Sequence, residues 1–222
     1  MLNYLIDLLF PKTCVCCEKA LNEQEPHICG SCCLELPVLE TNDESALRKL
    51  VGRVKIEKAY GYLKFNKLGK AQKILHELKY KDNQELGVYM GEIFGIFVNE
   101  KLLINKIDLI LPVPLHSKRL KSRGYNQAEA IAIGLAKQLE IKLDATLLVK
   151  SKEAISQTKK GRFARLENMQ DCFTLASGTD LRGKHVAIVD DVVTTGATLE
   201  ACCQCLLNAG VEQITVLSLA VA

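Results

Sequence analysis

Hydrophobic positions along the chain switch between two periods. Leu68, Ala71, Ile74, Leu75 and Leu78 recur at helical spacing, and Gln84–Val98 carries the denser apolar pattern of a more buried helix. Ala128, Ile131, Ala132, Leu135, Ala136 and Leu139 make the clearest amphipathic helix. Between these lie short apolar runs of strand character. They are Ala59–Phe65 with its aromatic enrichment, Asp108–Val113 closed by Pro112 and Pro114, Val186–Val189, and Ile214–Val221. Ala197–Asn208 predicts a further helix. Leu39–Leu50 is polar, mixed in charge and without a clear period, and reads as a linker.

Strand and helix segments that alternate in this way imply strand–helix–strand units, hence an α/β fold with a mainly parallel sheet flanked by helices. Ligands of such sheets sit at the carboxyl ends of the strands. No internal repeat or low-complexity tract interrupts the pattern. The expected division is a small cysteine module over residues 1–40 and a larger domain over 41–222.

Composition changes the picture in one respect. The 222 residues are 48% hydrophobic and 25% charged, with a formal net charge of +3, which excludes a disordered chain and a generally basic nucleic-acid coat. The charge is nonetheless unevenly spread. Lys118, Arg119, Lys121 and Arg123 stand together without an acid, and Lys150–Leu166 holds six cations against Glu153 alone. Cations concentrated on two segments point to a local polyanion site. Leu2–Phe10 is about half the length needed to span a bilayer and contains Asp7, so neither membrane insertion nor a signal peptide is expected. A cytoplasmic location follows, where thiols stay reduced and ten cysteines argue for metal or packing before disulfides.

Cys14-x2-Cys17 and Cys29-x2-Cys32 form two CxxC pairs separated by eleven residues. Two such turns bring four thiolates to one ion, the donor set of a closed structural Zn²⁺ site. Cys16 and Cys33 stand beside the pairs as substitutes, and His27 is a weaker one. Cys202 and Cys205 share a helix face with Ala201, Leu206 and Ala209 and read as core residues, as does the late cysteine group in general.

His185–Thr198 reads HVAIVDDVVTTGAT. An apolar strand is expected to end at Asp190–Asp191, followed by a threonine loop around Gly196 that enters a helix. The helix start offers free N–H groups and a positive dipole end to phosphate. Gly196 would let the backbone approach a ligand, and Thr194, Thr195 and Thr198 add hydroxyls. The paired carboxylates suit the vicinal hydroxyls of a sugar, or Mg²⁺. Phosphate next to such acids describes a ribose 5-phosphate. No Lys follows the glycine and no GxGxxG opens the first unit, which excludes a Walker A loop and a dinucleotide fingerprint.

VAIVDDVVTTGAT resembles the phosphoribosyl pyrophosphate (PRPP) motif of type I phosphoribosyltransferases. Together with LPVPLHSKRLKSRGYNQ, QTKKGRFARLENM and the cysteine module, it resembles the ComF family of bacterial proteins. That resemblance implies a type I phosphoribosyltransferase-like domain behind a zinc ribbon, PRPP and Mg²⁺ as ligands, and an association with DNA uptake. It assigns Asp190 and Asp191 to the ribose hydroxyls and to catalysis. Val192, Val193, Thr194, Thr195, Gly196, Ala197 and Thr198 fall on the 5′-phosphate loop. Lys118, Arg119 and Arg123 fall where pyrophosphate contacts lie, and Lys159 and Lys160 on a loop that closes over the site. Cys16 and Glu18 depart from the family's first knuckle, where a small residue or Pro and a Gly are usual.

Two functions follow. One is Mg²⁺-dependent chemistry on PRPP, as a transferase or hydrolase of nucleotide metabolism. The other is a DNA-uptake factor whose basic segments track single-stranded DNA, with Tyr125 and Phe163 as stacking groups and uptake or recombination proteins as partners.

Overall fold

The computed structural model describes residues 11–40, 42–99, 107–150 and 172–222. Its centre is a four-stranded parallel sheet of β1 (Lys58–Lys64), β2 (Leu109–Pro112), β5 (His185–Val193) and β6 (Gln213–Val221), in the order β1-β6-β5-β2. A second, antiparallel pair joins β3 (Leu148–Lys150) to β4 (Phe173–Leu175). The helices are α1 (Gly30–Leu34), α2 (Ser45–Arg48), α3 (Lys70–Tyr80), α4 (Gln84–Asn99), α5 (Ser117–Arg123), α6 (Gln127–Leu139) and α7 (Ala197–Asn208).

The central strands are apolar on both faces because both are covered. Ala187, Val189 and Leu217 meet Ile74, Leu78, Met90, Phe94, Ile131 and Leu135 of α3, α4 and α6. On the other face, Val186, Ile188 and Val216 meet Leu199, Cys202, Cys203 and Leu206 of α7 and Phe173 of β4. The periodicity therefore predicted this three-layer α/β fold correctly. Cys202 and Cys203 are core residues, and burial drives both thiols above their ordinary range. Helices α4 and α6 pack backbone to backbone: a Cβ on Gly134 would lie 2.0 Å from the Val88 carbonyl oxygen.

Leu39–Leu50 is not a linker. Ala46 and Leu50 are fully buried, and Leu39 donates its N–H to the Tyr62 carbonyl at 2.8 Å, so the segment folds onto the sheet. Its few apolar residues were too sparse to show a period. The cysteine module is likewise part of the main body. Cys14, Cys16, Ile28 and Leu36 lie in one core with Leu63, Ile74 and Leu75. Lys70 pairs with Glu35, and Lys73 donates to the Cys16 carbonyl, so α3 grips the module from outside that core. Among the described residues, no helix is long and apolar enough to cross a membrane.

Candidate functional site

The chain leaves β2 for α6 on one face of the sheet and leaves β5 for α7 on the other. Neighbouring parallel strands that part in this way open a crevice beyond their carboxyl ends. Here β2 stops at Pro112, opposite Val189, while β5 continues to Val193 alongside β6. The acidic pair therefore lies inside a strand rather than at its tip, on the flank that β2 has vacated. A cavity of about 180 Å³ fills that space, lined by Asp190, Asp191, Lys79, Arg119, Arg123, Lys150, Asn126 and Thr198 among others.

Successive strand residues point to opposite faces, and the two acids differ accordingly. Asp191 turns towards α3, where the Lys79 ammonium meets its Oδ2 at 2.7 Å. Asp190 accepts the Asp191 N–H at 2.9 Å. Burial, and then the charge of Asp191, push the Asp190 carboxyl well above the ordinary carboxylate range. The floor thus sets a carboxyl whose ionisation burial disfavours beside a carboxylate paired with lysine.

The cationic segment after β2 is a short helix. His116 caps α5 by accepting the Lys118 N–H at 3.3 Å, and Gly124, with φ of 81°, ends it. Helical i, i+4 spacing puts Arg119 and Arg123 on one side, and both reach the cavity. Lys118 is exposed and is not among the cavity's lining residues. Arg123 donates to Gln127 Oε1 at 2.8 Å. Asn126 donates to the Val113 carbonyl at 3.0 Å while accepting the Ala128 N–H, which fixes the turn into α6.

Of the threonine loop, Val192 and Thr198 line the cavity, Val193 is buried, and Thr194 and Thr195 are exposed. Ala197 opens α7. Gly196 also has a packing role. Its φ is +79°, and a Cβ there would come within 2.8 Å of the Lys49 carbonyl oxygen, so the missing side chain makes room for the turn after α2. Arg53 of that turn donates to the Thr195 carbonyl and lies 3.6 Å from Glu200. In a trans peptide the next N–H points the opposite way, so Gly196 N–H is directed away from Arg53.

Sequence reasoning missed Lys79 and Arg53, for which no local signal exists, and counted Lys150 only as part of a charge run. Tyr125 is not a stacking group. It is buried, its hydroxyl donates to the Leu78 carbonyl at 2.6 Å, and burial pushes it up to about 12. Lys159, Lys160 and Phe163 lie outside the described residues.

The cysteine module forms a second centre. The sulfurs of Cys14, Cys17, Cys29 and Cys32 all lie within 4.8 Å of one another, and Cys17 and Cys29 are 3.6 Å apart. A tetrahedral site with Zn–S of about 2.3 Å has a sulfur–sulfur edge of about 3.8 Å, so the spacing fits. Burial opposes ionisation of Cys14, but the amides of Cys29, Cys17 and Cys16 outweigh it and bring the thiol down to about 6. Cys16 points into the core instead, and burial raises it to about 11. Neither Cys16 nor Cys33 joins the cluster, and His27 packs against Tyr89. Glu18 adopts φ of 64°, the conformation a glycine would take more easily. The cluster is compatible with a structural metal such as zinc.

Residues 124–221 match the phosphoribosyl transferase domain family. Competence protein F of Haemophilus influenzae is 37% identical over 114 residues, which cover 51% of this chain and 50% of that protein. Competence protein ComFC of Bacillus subtilis is 26% identical over 209 residues, covering 90% of this chain and 79% of that one. These matches support a ComF-family protein. DNA utilization protein YhgH of Escherichia coli K12 is 28% identical over 146 residues, 64% of this chain and 63% of that protein. The matches to competence protein F and YhgH thus span about half to two thirds of those relatives. A purine phosphoribosyltransferase of Pyrococcus horikoshii aligns in structure with a TM-score of 0.37 and 19% identity, covering 60% of this chain and 83% of that one. The ComF-family assignment agrees with the parallel sheet and the acid pair at its carboxyl end.

Proposed function

We propose that this ComF-family protein binds PRPP, with Mg²⁺, in the crevice between β2 and β5. The observation that carries the reading is the convergence of both acids with Lys79, Arg119, Arg123, Lys150 and Thr198 on one small cavity. In this reading Asp190 and Asp191 take the pentose hydroxyls. The first turn of α7, with Thr198, takes the 5′-phosphate. Arg119 and Arg123 hold the pyrophosphate, and their positive charge favours its departure as negative charge builds on the leaving oxygen. Carboxylate oxygens suit a hard cation, and bound Mg²⁺ would neutralise charge between pyrophosphate and acids. The four-thiol cluster holds zinc and fixes the module structurally, a state that persists in a reducing compartment such as the cytoplasm. The relatives' names supply the setting of DNA uptake and utilisation.

Isothermal titration with Mg²⁺ and PRPP tests this reading. Saturable heat is expected for the wild type, with at least a tenfold loss of affinity in Asp190→Ala/Asp191→Ala. No heat, or the same isotherm in the double variant, overturns it. Pyrophosphate release measured on the same samples separates a turnover enzyme from a binding protein.

A further inference from the structure

A larger hollow of about 640 Å³ adjoins the crevice on the outside of α5. It is lined by Lys79, Tyr80, Lys81, Asp82, Arg119 and Arg123, with Ser122 and Gly124. Tyr80, the last residue of α3, leaves 69% of its surface in water. His76, one turn earlier, meets the Tyr80 ring at 4.7 Å between centroids and 41° between planes, forming a small aromatic platform. Four cations line the hollow with Tyr80 against one lining acid, Asp82; of these, Lys79 pairs with Asp191 at 2.7 Å and Lys81 with Glu77 at 3.2 Å.

We propose that a segment of single-stranded nucleic acid crosses this hollow, one base on Tyr80 and its phosphates on Lys81, Arg119 and Arg123. Every unstacked base has a π-face to offer an exposed ring, and the strand's phosphates answer the cations. An acidic peptide would satisfy the cations but leave the ring in water. A duplex would hide its bases. Tyr80 also does what Tyr125, buried under α3, cannot.

Lys79, Arg119 and Arg123 line both cavities. Phosphates in the hollow and pyrophosphate in the crevice therefore draw on the same positive charge, and each ligand weakens the other by the same factor. This coupling rests on the PRPP reading above; the strand path does not.

Fluorescence anisotropy with a labelled oligothymidylate of roughly ten nucleotides tests both parts. The wild type should bind with an affinity that falls as salt rises, by about −0.7 in log–log slope per phosphate contacted. Tyr80→Ala should weaken binding about five- to a hundredfold and Tyr80→Phe should retain it, because the ring and not the hydroxyl carries the stacking. Both variants should keep the wild-type Mg²⁺–PRPP isotherm, which shows that they fold. Adding Mg²⁺–PRPP should raise the apparent Kd of the oligonucleotide. Unchanged binding in Tyr80→Ala overturns the strand path, and so does a mononucleotide, a duplex or a polyglutamate peptide that binds as tightly as the oligonucleotide. PRPP that binds but leaves the oligonucleotide's Kd unmoved overturns the coupling. Tyr80-dependent binding in a protein that takes up no PRPP supports the strand path while removing the PRPP reading and the coupling together.

Discussion

The cysteine module and the crevice are both built to hold charge, yet they are assembled in opposite ways. The module draws four thiols from a stretch of nineteen residues, and two tight turns bring them together. Its chemistry is set locally, and the rest of the protein only holds it in place through Lys70, Lys73 and a shared core. The crevice draws its groups from α3, α5, β3, β5 and α7, none of which makes the site alone. Its electrostatics follow from where these elements meet. Local assembly makes a site whose ligands are set by their spacing, whereas distributed assembly makes one that depends on the fold.

Cys29→Ser should have the largest effect. Apparent zinc binding in small modules contributes on the order of 10 kcal/mol, so losing one thiolate should unfold the module and release the metal. The sheet should survive, because the core on its α7 face takes no residue from the segment 11–36. Metal analysis and limited proteolysis over residues 11–36 check this; a module that stays protected without metal refutes it.

Asp190→Asn should have the next largest effect, and its size depends on pH. The folded protein raises this carboxyl well above its ordinary value of 3.8. Ionising it therefore costs folding free energy, a penalty that grows as pH climbs from the ordinary value through the raised one. The amide variant should melt higher than the wild type at alkaline pH, by about 2–4 °C for each kcal/mol of penalty removed, and the gap should close as pH falls towards 3.8. A gap that stays constant across the range would exclude Asp190 as its source.

Glu18→Gly is the smallest of the three. Relieving the left-handed conformation at φ of 64° should stabilise the first knuckle by about 1 kcal/mol or less, without changing its metal content. Destabilisation would mean that the Glu18 side chain has a role of its own.

Most of the fold was legible because its signals are periodic. Apolar spacing located the central strands and long helices to within a few residues, and the switch of period predicted a parallel sheet. The misses have physical reasons. Residues 39–50 anchor through Leu39, Ala46 and Leu50, too few to show a pattern. The cationic stretch after β2 became helix α5, which buries none of its residues, so no hydrophobic period marks it. β3 and β4 are three residues each, shorter than a periodic signal needs.

The candidate sites divide along the same line. The four thiols, the acid pair and the threonine loop were legible along the chain, because each depends on neighbours a few residues away and on backbone geometry that short spacing dictates. Long-range packing sets the pairing of Lys79 with Asp191, the bond from Arg53 to the loop carbonyl, and the fit of Gly196 against the turn after α2. It also decided that Tyr125 is covered while Tyr80 is left in water. Those outcomes depend on how helices cross a sheet whose strands diverge, and the free energy of such crossings is summed over the whole core, so no local pattern records it.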